Sequence, residues 1–195
     1  MREEVTALLE NRNELLTITY FKIQELFDKK YGENALVLME IGTFFEVYEV
    51  NNEKEKIGKA KEIAELLNIQ LTRKNKSILE NSKENPIMAG VPAISFEKHL
   101  ARIIAEQKYT IAIIKQKGTP PNVSRYLDVI VSPGTNFDFV VEQDDNFITS
   151  IVIDQIRGNY LIGYSAIDVT TAKCYYNEVF GTHEDKFFAL DEVFN

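Results

Sequence analysis

The chain has 195 residues, 45% of them hydrophobic, with one cysteine, two histidines and a net charge of −8. That is a folding composition; it excludes an internal disulfide and a paired-cysteine zinc site, and His99 and His183 stand too far apart in sequence to suggest a metal cluster. No apolar run approaches the ~20 residues needed to cross a bilayer, and the charged start, Met1 to Asn13, lacks a signal-peptide core, so the expectation is a soluble protein of the cytoplasm.

Asn13 to Lys30 reads as a helix, because Leu15, Leu16, Thr19, Ile23, Leu26 and Phe27 recur at helical spacing. Gly32 and Asn34 end it. Ala35 to Ile41 is an apolar run of strand length; Gly42 bends the chain, and Phe44 to Val50 continues as strand. Lys54 to Asn68 predicts a second helix, with Ile57, Ala60, Ile63, Ala64 and Leu67 on one face. Ile69 to Thr72 is a short strand. The polar, basic stretch from Arg73 to Asn85 reads as a surface loop or hairpin tip, and Pro86 to Pro92 as a small compact segment. Ser95 is the expected N-cap of a helix to Gln107. Tyr109 to Lys115 and Tyr126 to Val131 complete the strands of this part. Strands and helices interleave, so the first part is predicted to be α/β.

Pro133 and Gly134 then punctuate the chain, and Asn136 to Asn146 is acidic with no basic residue. Phe147 to Gln155, Tyr160 to Val169 and Lys173 to Val179 read as three antiparallel strands joined by two hairpins, the first turning at Gly158-Asn159. Glu184 to Phe194 reads as an amphipathic helix. The expected division is a first domain over 1–130, a linker over 131–146 and a second domain begun at 147–195. The sheet of that second domain lacks its expected partners, so the chain reads as the amino-terminal piece of a longer protein. Charge follows the same division: residues 1–126 sum to +1 and residues 127–195 to −9. Only the first part is basic enough to touch phosphates.

The stretch richest in chemistry is Ile41-Gly42-Thr43-Phe44-Phe45-Glu46-Val47-Tyr48. On a strand, Phe44 and Glu46 share a face. Taken alone, such a triplet is an ordinary core aromatic beside a solvated carboxylate. Placed against DNA, the aromatic can wedge into the base stack from the minor groove while the carboxylate accepts a hydrogen bond from a base. A wedge of this kind finds weak pairs by their deformability.

The triplet is not alone. Gly42-Thr43-Phe44-Phe45-Glu46-Val47-Tyr48 resembles the MutS signature Gly-Asp-Phe-Tyr-Glu-Leu-Phe. In the expected order follow the helix–strand block Ala64 to Arg73, ending Leu71-Thr72-Arg73, then Pro86-Ile87-Met88-Ala89-Gly90-Val91-Pro92, and Val131-Ser132-Pro133-Gly134-Thr135. The resemblance spans roughly residues 15–175. It implies a mixed-sheet mismatch-recognition domain followed by a partial ribonuclease-H-like connector domain. It also implies roles: Phe44 stacks at the mismatch and Glu46 contacts the base. Thr43, Ile94 and Lys115 depart from the family pattern, and the insert from Lys76 to Asn85 is not typical of it.

Arg73, Lys74 and Lys76 are the candidates for holding the DNA backbone; Lys115 and Lys117 are weaker ones. No catalytic or metal-binding residue is expected. The phosphate loop G-x-x-x-x-G-K-[ST] is absent, so ATP and magnesium are expected only in carboxyl-terminal domains of a longer parent. The resemblance further implies duplex DNA with mismatches or small loops, a second copy of the parent chain, and other mismatch-repair proteins as partners. Two alternatives stay open. One is a metal-dependent nuclease built on Asp154 and Asp168; the other is a protein-interaction module that no longer senses mismatches.

Overall fold

Ala35 to Met39 are all buried with no polar alternation, the mark of a strand covered on both faces. This strand, β1 (Ala35–Ile41), lies inside the larger of two sheets. The computed structural model describes residues 1–119, 121–133, 147–168 and 171–181. The chain divides into two compact units, Met1–Pro133 and Gly134–Asn195.

In the first unit, β1 turns back into β2 (Phe44–Asn51) in antiparallel register, Ile41 opposite Phe44. On the other side of β1, β6 (Thr110–Lys117) runs parallel, with Ala35 opposite Thr110. β7 (Ser124–Val131) pairs antiparallel with β6. Beyond β2 stand β5 (Ile87–Pro92) and the two-residue β4 (Thr72–Arg73), while β3 (Lys56–Gly58) pairs with the far end of β2. One parallel pair among antiparallel ones makes this the mixed sheet expected of the first part.

Helices cover both faces. On one, α2 (Leu16–Tyr31) sets Tyr20 edge-on to Tyr48 at 4.8 Å, and the Tyr20 hydroxyl donates to the Val37 carbonyl at 2.9 Å. Val5 of α1 (Arg2–Glu10) joins the same core. On the other face, α3 (Ala60–Leu67) and α4 (Phe96–Ala105) bury Ile63, Leu67, Leu100 and Ile103, and Phe45 stacks on Phe96 with ring centroids 3.6 Å apart.

Several sequence expectations change here. The charged start forms α1, whose single fully buried side chain, Val5, leaves too faint an apolar stripe to recognise. The helix expected from Lys54 begins only at Ala60. Ile57 instead pairs with Val50, and Gly58, at φ +85°, turns the chain where a Cβ would lie 2.0 Å from the Tyr48 carbonyl oxygen. Pro86 to Pro92 is mostly strand because β2 offers it a free edge. Ser95 occupies the cap position of α4 after a 3-10 turn, Ala93–Ser95, but its hydroxyl donates backward to the Pro92 carbonyl at 3.3 Å and caps nothing.

The second unit contains three antiparallel strands, β8 (Phe147–Ile156), β9 (Asn159–Asp168) and β10 (Cys174–Gly181), in the order β10-β9-β8. Most of the linker stretch, the end of the second strand at Val169 and the helix read over Glu184 to Phe194 lie outside the described residues.

Candidate nucleic-acid interface

The site is built on the tip of the β1–β2 hairpin. Gly42 takes φ +63°, a conformation that side-chain-bearing residues avoid, so that Gly42 and Thr43 alone reverse the chain. The tip is pinned from two sides. The Gln116 amide donates to the Gly42 carbonyl at 2.6 Å and accepts from the Gly42 N–H at 3.1 Å. The Ala93 N–H donates to the Thr43 carbonyl at 2.8 Å. A two-residue turn held by three hydrogen bonds presents its first strand residue in one place.

That residue is Phe44, 43% exposed at the head of a strand whose next six residues are buried. Its alternation partner Glu46 faces the same way, but the pairing read for such a triplet taken alone, core aromatic and solvated carboxylate, is reversed: the aromatic is open and the glutamate, as a whole residue, only 9% exposed. Glu46 survives burial because two donors meet it. The Tyr48 hydroxyl, two residues on and on the same face, donates to Glu46 Oε2. Lys74 Nζ lies 3.4 Å from the same oxygen and donates to the Tyr48 oxygen at 3.1 Å. Burial raises the Tyr48 pKa far above its ordinary value, and the Glu46 charge adds to the shift.

The structure separates the three loop cations. Arg73 ends β4 and is turned to its own loop, donating to the carbonyls of the exposed Ile78 and Leu79. Lys74 is turned to Glu46. Lys76 is exposed and makes no hydrogen bond or ion pair among the described residues. The loop itself is ordered by Asn85, which donates to the carbonyls of Ile78 and Glu80 and accepts from the Asn75 N–H at 2.7 Å. Of the weaker candidates, Lys115 is paired with Asp128 at 2.7 Å; the hydrogen bond to that carboxylate holds its pKa above the ordinary lysine value.

Sequence reasoning missed three contributors. Tyr48 follows Glu46 by two on a strand, so alternation carries its place on that face but not the partner of its hydroxyl. Gln116 lies 74 residues from Gly42 and carried no local signal. Arg125, half-buried, donates to the Glu40 carbonyl at 3.1 Å; burial lowers its pKa, with the charges of Glu40 and Glu46 among those that oppose the shift.

The second unit offers no metal pair from Asp154 and Asp168. Asp154 stands opposite Leu161 near one end of the β8–β9 ladder and Asp168 opposite Phe147 at the other. Seven residues of strand separate the two positions, roughly 23 Å at ~3.3 Å per residue, against the ~4 Å between metals of a two-metal site. Asp168 is fully buried and accepts from the Thr171 hydroxyl in the β9–β10 connection, a structural task. Among the described residues no three His, Cys, Asp or Glu side chains form a metal-sized group, and no helix is long and apolar enough to cross a membrane.

Fold and site together define a mixed α/β domain that presents an open aromatic and an anchored carboxylate at one end of its sheet. The family model for MutS domain I matches residues 20–140. A mutS homolog of Acanthamoeba polyphaga mimivirus is 30% identical over 191 residues, covering 94% of this chain and 17% of that protein. The DNA mismatch repair protein MutS of Streptococcus thermophilus is 30% identical over 175 residues, covering 86% of this chain and 18% of its own length. That of Halothermothrix orenii is 28% identical over 172 residues, covering 85% and 17%. The chain belongs to the MutS family, and it spans about a sixth of the length of the curated relatives it matches.

Proposed function

We propose that this chain recognises mismatched or unpaired bases in duplex DNA at the start of mismatch repair. Phe44 enters the base stack from the minor groove, Glu46 accepts a hydrogen bond from the base beside it, and the loop cations steady the backbone, with Lys76 best placed because its charge is free. The observation that carries the reading is the exposed Phe44 on a pinned hairpin tip, beside a same-face carboxylate, in a chain that matches MutS domain I. Unstacking a step costs about a few kcal/mol and least where pairing is already weak, so a rigidly held wedge selects deformable steps without reading sequence.

In this reading Phe147 onward begins the family's connector domain, with a ribonuclease-H-like fold, after a domain over 1–130 and a linker over 131–146. ATP and magnesium do not fit the residues present, since no phosphate loop occurs in the chain; their use would fall to other segments of a longer protein. Pairing of two copies and contacts with other repair proteins, in the cytoplasm, belong to the same proposal.

The test is fluorescence anisotropy of the full-length protein on a duplex with one G·T mismatch and on its matched twin, at one stated salt concentration. The expected result is tighter binding to the mismatch. Phe44→Ala removes the stacked ring, worth about 1–3 kcal/mol per base, so the preference falls roughly five- to 150-fold. Equal affinity for both duplexes, unaltered by Phe44→Ala, would defeat the proposal.

A further inference from the structure

We infer that Tyr48 and Lys74 are positioning residues: together they anchor one oxygen of the Glu46 carboxylate, so that the other is held out to the base as an oriented acceptor. The inference rests on the mismatch-reading proposal and deepens it, because it names what sets the strength of discrimination at that site.

The geometry is asymmetric within a single carboxylate. Both donors, the Tyr48 hydroxyl and the Lys74 ammonium, meet Oε2, whereas Oε1 accepts no hydrogen bond among the described residues. The Glu46 side chain keeps 12% exposure, so it is not sealed from a ligand. The contacts close on themselves: Lys74 Nζ also lies 5.4 Å from the centre of the Tyr48 ring, over its face. Tyr48 in turn is wedged against Tyr20 and Phe21 and cannot drift.

A glutamate on an open strand loses side-chain rotamer freedom when it accepts a bond from a base. Here that freedom is already gone before DNA arrives, which is how a preorganised acceptor gains over a mobile one. The two anchors come from separate places: Tyr48 follows Glu46 on β2, and Lys74 follows β4, brought in by the pairing of β4 with β5. An oriented, acceptor-only oxygen favours a base that turns an N–H toward it and disfavours one that presents a lone pair.

Lys74 was also a candidate for holding a phosphate, and the two roles separate by experiment. The full-length protein and its Tyr48→Phe, Lys74→Met, Lys74→Arg and Phe44→Ala variants are titrated against the G·T and matched duplexes at several salt concentrations. Tyr48→Phe keeps the buried ring and removes only the hydroxyl. The expected result is that Tyr48→Phe and Lys74→Met each lower the ratio of mismatched to matched affinity about three- to tenfold, the scale of one hydrogen bond. Lys74→Arg recovers most of the ratio. In a Glu46→Ala background, Tyr48→Phe has no further effect on it. An unchanged ratio in both Tyr48→Phe and Lys74→Met overturns the inference. So does a Lys74→Met protein that weakens both duplexes by one factor and reduces the salt slope by about 1, the signature of a phosphate contact. If Phe44→Ala abolishes the preference while those two variants leave it intact, only this inference falls. If Phe44→Ala leaves it intact as well, the mismatch-reading proposal falls first.

Discussion

Tyr48 keeps its proton throughout the working pH range, because burial raises its pKa and the charge of Glu46 adds to the shift. Its hydroxyl therefore remains a donor to Glu46 as pH rises. A second carboxylate makes the opposite kind of statement. Burial of Glu62 works to raise its pKa, but hydrogen bonds from Lys108 and Tyr109 outweigh it and hold the group below 4.5, its ordinary value. A carboxylate depressed in the folded state stabilises above its unfolded pKa, and that contribution is lost as pH falls through the folded one. Glu62→Gln is therefore expected to cost at most about 1 kcal/mol near neutrality, since the pair is partly exposed. The difference from the parent should narrow as pH falls below 4.5, and urea melts at pH 7 and pH 3.5 measure it. At this scale strand alternation alone placed Phe44 and Glu46 on one face. It was silent about exposure, because which end of a strand clears the core depends on the helices laid across it.

The β1–β2 hairpin is the element on which the proposed function turns, and Gln116 of β6 holds it through both groups of one amide. Gln116→Ala removes two partly exposed hydrogen bonds, an expected loss of about 1–2 kcal/mol in stability. The tip also gains freedom, so the mismatch preference should fall by more than the melting temperature suggests. Anisotropy and thermal melts on the same samples compare the two. Gly58 bears on the other end of β2. A Cβ there meets the Tyr48 carbonyl oxygen at 2.0 Å and the backbone sits at φ +85°, so Gly58→Ala should destabilise by about 2–4 kcal/mol. Gly32→Ala, at φ +80° and ψ −169° in a region essentially reserved for glycine but with open space around it, should cost about 1–3 kcal/mol. Denaturant midpoints of the two variants separate strain from collision. The elements were legible where periodicity was strong, as in α2, α4 and β1. The expected helix from Lys54 yielded at its start to β3, since an edge of β2 stood open to Ile57 and no local pattern announces such an edge.

For the whole chain, charge and fold divide at nearly the same place: +1 over residues 1–126 against −9 over the rest, with the compact units parting at Pro133 and Gly134. On the proposed reading, a nearly neutral first unit meets DNA through a few placed cations. Phosphate contacts are blind to sequence, so raising salt should weaken matched and mismatched binding by the same factor and leave their ratio constant. Titrations between 50 and 200 mM salt test this; a ratio that drifts with salt would mean that charge itself discriminates. Periodicity, turn residues and motif order are written along the chain, and they were enough for the α/β class of the first unit, the three-stranded second sheet and the family. Which loop cation is free, why Glu46 can be buried and that Asp154 and Asp168 stand at opposite ends of a ladder emerged only from the packed fold. Those outcomes depend on strand register and on side chains tens of residues apart, and no local run of sequence encodes the distance between them.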